Sequence, residues 1–225
     1  MNKLRIFLLG ILAGISIAFG GAAYIACSYY NNRILGSILF SVGLLLVCGF
    51  SFKLYTGQIG KIFDNKKNFL LDLLVMYLGN FVGALVVGLL ASLINPNDTF
   101  ADLVLSVGKS KILDFDGGTI KWYQLLIQSF FCGMLVYFAV EIYNKGKDVV
   151  TKVLGLILCV AAFVVSGYAH CVANMYYLGA SRLIITNFGN SILSIFIATV
   201  GNSIGAIIIN LLIRFGMGVK KNEVL

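Results

Sequence analysis

Two polar interruptions decide the fold of this chain: GFSFKLYTG at residues 49–57 and GYAHCVAN at residues 167–174. Each is followed by a similar short word, GNFVGA at 79–84 and GNSIGA at 201–206. In a membrane, non-helical backbone is tolerated only where it is buried in protein or lines a water-filled cavity. Interruptions at corresponding places in two halves of a chain point to a substrate path between them. The pattern therefore predicts a membrane protein that conducts a solute.

The composition is that of an integral membrane protein. Of 225 residues, 60% are hydrophobic and 12% are charged, and the mean hydropathy is +0.96, whereas a soluble domain has about 25% charged residues. Six apolar runs approach the length of a membrane span, about 20 residues; they are 6–27, 34–52, 69–95, 122–143, 152–167 and 184–213. We predict an all-α fold of six transmembrane helices in which spans 2 and 5 are broken. The start of the chain also fits a cleaved signal peptide, but its removal would leave an odd number of spans.

The spans divide into two units, residues 1–95 and 121–215, joined by an outer loop at 96–120 within one domain of residues 1–225. Because each unit has an odd number of spans, the second is inserted upside down, and inverted repeats result. The two breaks match at an offset of 118 residues, which pairs Thr56 with Asn174. Asn80 and Asn202 would be costly facing lipid, so we expect both to bond across helices or to the freed backbone at the breaks.

Charge placement predicts that both termini lie in the cytoplasm and that the chain is a multi-pass protein of the cell inner (cytoplasmic) membrane. The segments then inside carry Lys3, Arg5, Lys61, Lys66, Lys67, Lys145, Lys147, Lys152, Arg214, Lys220 and Lys221. Those outside carry Arg33, Lys109, Lys111, Lys121 and Arg182. This excess follows the positive-inside rule, so the net charge of +8 needs no nucleic-acid partner.

The cysteines are expected to pack in the apolar core, whereas the single histidine is a candidate functional residue. The five cysteines lie in apolar stretches without a C-x-x-C pair and are most simply small buried side chains. Cys171, beside His170, either lines a path or packs. His170 is the only histidine and lies inside an apolar segment. It is either a satisfied core residue or a pore residue, and its ionisable ring at membrane depth favours function.

These sequence motifs resemble those of the formate–nitrite transporter family. Residues 167–176, GYAHCVANMY, are similar to its G-[FY]-E-H-[SC]-[IV]-A-N-M-[YF] signature, and Leu54-Tyr55-Thr56 is similar to its L-[FY]-T loop. The word GILAG at 10–14 and both Gly-Asn words extend the resemblance from residue 10 to residue 206. It implies an aquaporin-like fold, a homopentamer with a pore in each protomer, membrane lipid in the central gap, and a small monovalent anion as substrate.

The resemblance also implies site residues. His170 would lie in the pore with Thr56 opposite, while Asn174 would orient the pair or hold the broken backbone. Leu54 and Tyr55 would form one constriction and Phe163 the other. Imidazole has an unperturbed pKa of about 6.5, so proton transfer to a weak-acid anion (formate, nitrite, hydrosulfide) would yield a neutral species that crosses a dry constriction more easily.

The chain departs from the family pattern at two positions near the path. Ala169 replaces the usual acid before the histidine, and Lys53 stands where an acid is common. Lys53 either faces the vestibule or extends its amine to the membrane interface. The family's outer lysine before span 4 has three candidates here. Spacing from Thr56 favours Lys121, whereas Lys109 and Lys111 fit the loop better but require an insertion around 114–118.

Two other classes of protein fit the sequence less well. A membrane enzyme or redox subunit would use His170 as a ligand, but haem and metal sites usually need more than one His or a Cys/His cluster. No catalytic residue, metal or cofactor is therefore predicted. A purely structural scaffold would leave the polar breaks without a purpose.

Overall fold

The computed structural model describes residues 1–66, 68–113 and 119–218, and the described chain is almost wholly helical. The sequence predictions for Lys67, Lys220, Lys221 and the segment 114–118 lie outside the described residues. The helices are α1 (Lys3–Tyr29), α2 (Arg33–Leu39), α3 (Ser41–Gly49), α4 (Tyr55–Gln58), α5 (Phe69–Ala91), α6 (Asp98–Lys109), α7 (Trp122–Lys145), α8 (Val149–Val165), α9 (Cys171–Ala180), α10 (Leu183–Thr186) and α11 (Phe188–Met217). A 3-10 turn at Ile59–Lys61 continues α4.

Four helices are long and apolar enough to cross a membrane: α1, α5, α7 and α11. The apolar stretches Arg33–Gly49 and Val149–Val165 are shorter because each stops at one of the breaks. Large apolar side chains are exposed along the long helices, including Leu70, Leu74 and Leu78 on α5. Such a face would be unfavourable in water and suits contact with lipid.

The long helices pack in two close pairs, α1 with α5 and α7 with α11. A Cβ added to Gly14 would overlap the carbonyl oxygen of Asn80, and a Cβ added to Gly133 would overlap that of Asn202. Glycine at these crossings lets the two backbones touch. The small residues of the sequence words therefore bring each asparagine against the neighbouring helix.

Ion pairs mark one end of the bundle, which we call the inner face. It carries the pairs Lys3–Asp72 and Arg214–Asp64. The opposite end, the outer face, carries α6 and the end of α1, where Asn97 donates to the Tyr29 hydroxyl at 3.1 Å. At the inner face Asn210, late in α11, donates to the carbonyl of Gly60 at 2.7 Å. The end of α11 thus meets the segment that precedes α5.

The connection predicted as an outer loop at 96–120 contains a helix, α6, that was not predicted from the sequence. Its N-terminus is capped by Asn97, whose Oδ1 accepts from the Phe100 amide at 2.8 Å. Val104 and Gly108 are buried, whereas the other face of the helix is polar. The preceding helix, α5, ends at Ala91, whereas the apolar run from which it was predicted extends to residue 95.

Candidate functional site

Both breaks have the same local plan. The helix before the break ends, one residue adopts the left-handed region, a short extended stretch follows, and a second helix begins. Ser51 has φ +56° and Gly167 has φ +72°, and they are 116 residues apart. The second helices begin at Tyr55 and Cys171, again 116 apart, so Leu54 and His170 occupy equivalent cap positions. The two breaks are therefore related by an offset of 116 residues. The offset of 118 predicted from the sequence, which paired Thr56 with Asn174, is wrong.

Asn80 binds the backbone of the first break. Its Oδ1 accepts from the Tyr55 amide at 2.8 Å, and its Nδ2 donates to the carbonyls of Lys53 at 2.8 Å and Gly10 at 2.9 Å. The Tyr55 amide and the Lys53 carbonyl have no helical partner because the chain leaves the helix there, whereas the Gly10 carbonyl lies within α1 and takes the Asn80 bond as an additional one. Asn80 is fully buried, so its amide satisfies groups that lipid could not.

Asn202 makes the corresponding bonds at the second break. Its Oδ1 accepts from the Cys171 amide at 2.8 Å, and its Nδ2 donates to the carbonyls of Ala169 at 2.9 Å and Ser129 at 2.7 Å. Both asparagines thus bond across helices and to freed backbone, as the sequence reading expected.

Thr56 and His170 meet between the breaks. The Thr56 Oγ1 and His170 Nε2 atoms are 2.8 Å apart, and both side chains are buried. His170 also caps α9, since its Nδ1 accepts from the Ala173 amide at 3.2 Å. An acceptor Nδ1 assigns the ring proton to Nε2, so Nε2–H donates to the Thr56 oxygen. The Thr56 hydroxyl proton then remains available for another acceptor.

A cavity lies on the outer side of this pair. It has a volume of about 300 Å³, and its lining includes Arg33, Phe40, Lys111, Gln128, Phe163, His170 and Asn174. A second cavity of about 180 Å³ lies on the inner side, with Ser51, Lys53, Leu54, Gln58, Val140 and Asn144 among its lining residues. His170 therefore faces the outer cavity, and Leu54, two residues before Thr56, faces the inner one.

Two amides present unpaired polar atoms at the outer cavity. Within the described residues, neither side-chain atom of Asn174 has a hydrogen-bond partner, nor does Oε1 of Gln128. Asn174 is fully buried, and a buried amide without partners loses about 1–3 kcal/mol for each unsatisfied group. Asn174 does not make the orienting or backbone-holding bond expected from the sequence, because one helical turn after His170 its side chain faces the cavity instead. Gln128 was not predicted; a polar residue within the apolar run 122–143 was the available signal.

The predicted constriction residues divide between the two cavities, with one exception. Leu54 lines the inner cavity and is 2% exposed, while Phe163 lines the outer cavity and is 3% exposed. The Phe163 ring stacks on His170 with centroids 6.1 Å apart and meets Phe40 edge-on at 5.7 Å. Phe40 was not predicted, because one phenylalanine in an apolar run carries no distinguishing signal.

Tyr55 is the exception. Its hydroxyl bonds the Ser203 hydroxyl at 2.9 Å, and its ring packs edge-on against Tyr77 at 5.1 Å. The described residues that line the two cavities do not include it. Successive residues of a helix project about 100° apart, so Leu54, Tyr55 and Thr56 point in three directions.

The structure also shows which of the candidate basic residues lie at the outer cavity. Lys111 lines the outer cavity, and its Nζ donates to the Gly167 carbonyl at 3.0 Å. Burial lowers the pKa of Lys111 to about 8. Lys121, which spacing favoured, immediately precedes α7, and its backbone amide donates to Gln124 Oε1 at 3.1 Å. Neither it nor Lys109 is among the described lining residues of the cavity, whereas exposed Arg33, which the sequence reading did not select, is.

The thiols and acids form no metal-binding group in the described parts of the chain, where no three His, Cys, Asp or Glu side chains cluster. All five cysteines are free. Cys48 lines the inner cavity, whereas Cys171, the thiol that the sequence placed beside the path, is buried and is not among the described residues lining either cavity.

Comparison with known proteins agrees with this architecture. The model of the formate/nitrite transporter family matches residues 1–216. The chain is 27% identical to the formate channel FocA of Haemophilus influenzae over 76% of its own length and 64% of that protein's, so it spans less than two thirds of that relative. It is 28% identical to the uncharacterized transporter YrhG of Bacillus subtilis, with 96% of this chain and 87% of that one covered.

Solved structures share the fold. A pentameric formate channel with formate bound superposes with a TM-score of 0.81 at 25% identity, covering 97% of this chain and 98% of the other. An ion channel of the same family gives 0.81 at 24% identity over 96% and 91%. The apolar helices and these matches make the chain a multi-pass membrane protein. Because the family model covers nearly its whole length, the protein belongs to the formate/nitrite transporter family.

Proposed function

We propose that the protein is a channel or proton-coupled transporter for small monovalent anions of weak acids, namely formate, nitrite or hydrosulfide. The observation that carries this proposal is the buried Thr56–His170 pair, with their side-chain atoms 2.8 Å apart and a cavity on either side. The family match and the formate bound to the similar pentameric channel support the class of substrate.

Hydrogen-bond donors and cations favour an anion at the outer end. Lys111 supplies positive charge, and the Asn174 amide has two N–H donors without partners among the described residues. None of the described residues lining the two cavities carries a carboxylate. An anion therefore gains attraction and meets no like charge among the described lining residues.

The narrow part of the path is apolar. Phe163 and Leu54 are almost fully buried and flank the Thr56–His170 pair. A bare ion loses hydration between such side chains at a large cost. Donation from the His170 Nε2–H and the Thr56 hydroxyl would offset part of that cost at the midpoint.

Proton coupling requires one further step at His170. The ring must first take a second proton at Nδ1, which breaks the bond that Nδ1 accepts from the Ala173 amide. The Nε2 proton can then pass to the anion, which leaves as a neutral acid. Anion conduction without proton transfer keeps that bond, so the two modes differ in whether the cap of α9 is released.

The arrangement in the membrane is part of the same proposal. We place two inverted three-span repeats across the cytoplasmic membrane, with both termini and the inner face in the cytoplasm. The matching bonds of Asn80 and Asn202 support the repeat, and the meeting of Asn210 with Gly60 supports opposite directions for α11 and α5. By likeness to the pentameric formate channel, five copies would assemble. The family resemblance in the sequence implies one path in each copy and lipid in the central gap.

A flux experiment tests the proposal. The purified protein is reconstituted into liposomes, and uptake of formate, nitrite, hydrosulfide and lactate is measured from acid to neutral pH. We expect faster uptake of at least one of the first three than in protein-free liposomes. Absence of flux for all four anions would overturn the proposal.

A further inference from the structure

The inner cavity carries a cation that the proposed path has not used. Lys53 lines this cavity together with Gln58 and Asn144, whose side-chain amides donate hydrogen bonds. Lys53 directly precedes Leu54, which closes the cavity towards Thr56 and His170. Its backbone is fixed on both sides, since its amide donates to the Leu9 carbonyl at 3.2 Å and its carbonyl accepts from Asn80 at 2.8 Å. The position of the side chain at the cavity is therefore set by the break itself.

The acidic side chains that the structure describes at the inner face are already engaged. Asp72 pairs with Lys3, and Asp64 pairs with Arg214. Glu141 is bracketed by the Nζ atoms of Lys61 at 2.6 Å and Lys145 at 2.7 Å.

The remaining described acid near this face, Asp148, caps α8 through the Thr151 amide and hydroxyl at 2.8 and 2.7 Å. Lys53, by contrast, makes no ion pair within the described parts of the chain. No acid that the structure describes thus compensates its charge where it meets the cavity.

We propose that the inner cavity is a second anion-binding position, in which the Lys53 ammonium supplies the charge and the Gln58 and Asn144 amides donate hydrogen bonds. This inference rests on the proposed function and adds to it. A small monovalent anion would be held on the inner side of Leu54 directly before or after it crosses. The cavity volume of about 180 Å³ accommodates such an anion together with water.

A cation at each end of the path has a kinetic consequence. A charge beside a narrow opening raises the local anion concentration and the rate at which anions arrive. Lys111 would act so at the outer cavity and Lys53 at the inner one. Each lysine should therefore control the half-saturating anion concentration only from its own side.

Transport from each side tests this. The protein is produced in cells that lack other formate channels, and initial uptake of labelled formate is measured in spheroplasts and in inverted membrane vesicles. These expose opposite faces of the protein. Lys53→Gln should raise the half-saturating formate concentration about threefold to tenfold in one preparation, and Lys111→Gln should do so in the other. Lys53→Glu should act more strongly than Lys53→Gln, and Lys53→Arg should resemble the unaltered protein.

The matched control is Lys66→Gln, because Lys66 is exposed and lies outside the cavity lining. The Lys53 effect should also shrink at high ionic strength, since salt screens the charge. If the unaltered protein transports formate and neither Lys53→Gln nor Lys53→Glu changes the half-saturating concentration in either preparation, the inner position is wrong and the proposed function stands. If the unaltered protein transports no anion of the class, the proposed function fails and this inference fails with it.

Discussion

Asn80 and Asn202 make matching sets of three hydrogen bonds, each to the carbonyl and amide groups on either side of a break and to one carbonyl of the neighbouring long helix. The two residues are 122 positions apart, whereas the break positions they bind are 116 apart. The segment that joins the break to its asparagine is therefore six residues longer in the second half than in the first. Both asparagines nevertheless make the same bonds.

Removal of either amide should destabilise the protein. Asn80→Ala and Asn202→Ala each leave one carbonyl and one N–H of the buried backbone at a break without a partner, at an expected cost of about 2–4 kcal/mol. Unfolding in detergent by titration with denaturing surfactant measures the loss. Asn65→Ala is the control, because Asn65 is exposed and donates to the carbonyl of Lys61, four residues earlier in its own segment. Equal stability of all three variants would contradict a structural role for the buried asparagines.

Asn174 should behave in the opposite way. Because its side-chain atoms have no partner within the described chain, Asn174→Leu removes a desolvation cost and should leave stability unchanged or raise it. The same change removes donors from the outer cavity, so formate flux should fall about tenfold. Stability and flux are measured on the same reconstituted preparation. A variant that unfolds more readily yet keeps its flux would show that Asn174 holds the structure and does not serve the path.

Leu54 should set the size limit of the path from the inner side. Leu54→Val removes one methylene, worth about 1 kcal/mol of packing, and widens the apolar neck next to Thr56. Flux of lactate should increase relative to flux of formate, because the larger anion gains more from the added width. Leu156→Val is a matched control, since Leu156 is equally buried on α8 away from both cavities. A lactate-to-formate ratio that is the same in both variants would place the constriction elsewhere.

The lowered pKa of Lys111 predicts that the half-saturating formate concentration, measured from the outer side, depends on pH. Its pKa is lowered to about 8 by burial, so its ammonium is charged below that pH and neutral above it. Formate remains ionised throughout, and the half-saturating formate concentration from the outer side should therefore rise up to about tenfold as pH increases from about 7 to about 9. Lys111→Arg keeps its charge over this range and should flatten the profile. A rise that persists in the arginine variant would assign it to another group.

The sequence was sufficient for the features that depend on polar groups inside apolar runs. The breaks and the bonding of Asn80 and Asn202 follow from the need to bury or pair polar groups in a membrane, whereas the meeting of Thr56 with His170 was expected only from the family resemblance. A polar residue in such surroundings has few possible partners. Its partners are therefore easier to predict than those of an apolar neighbour, although Asn174 and Gln128 carry polar atoms without partners among the described residues.

Other features depended on geometry that residue types do not encode. Tyr55 and Leu54 are adjacent and both suit an apolar constriction, and the direction in which α4 begins separates them: the Tyr55 hydroxyl reaches Ser203, whereas Leu54 lines the inner cavity. Leu54 corresponds to His170, and Thr56 does not correspond to Asn174, because the repeat offset is 116 rather than 118 and the extended stretch of each break is set by its left-handed residue. The helix α6 was missed because its mixed polar and apolar residues lie outside any membrane-length run, and Lys111 at the cavity follows from where α6 ends.

The most direct test of the central claim is the anion preference of His170→Asn in proteoliposomes, measured with formate, nitrite and lactate across pH. Asparagine also caps helices well, so the start of α9 should persist while the donor to Thr56 is lost. Proton coupling at His170 predicts that uptake by the unaltered protein increases at acid pH. In the variant, we predict that the preference among the three anions changes by about tenfold and that this increase is absent. The same preference and the same pH profile as the unaltered protein would contradict a role for His170 in the path.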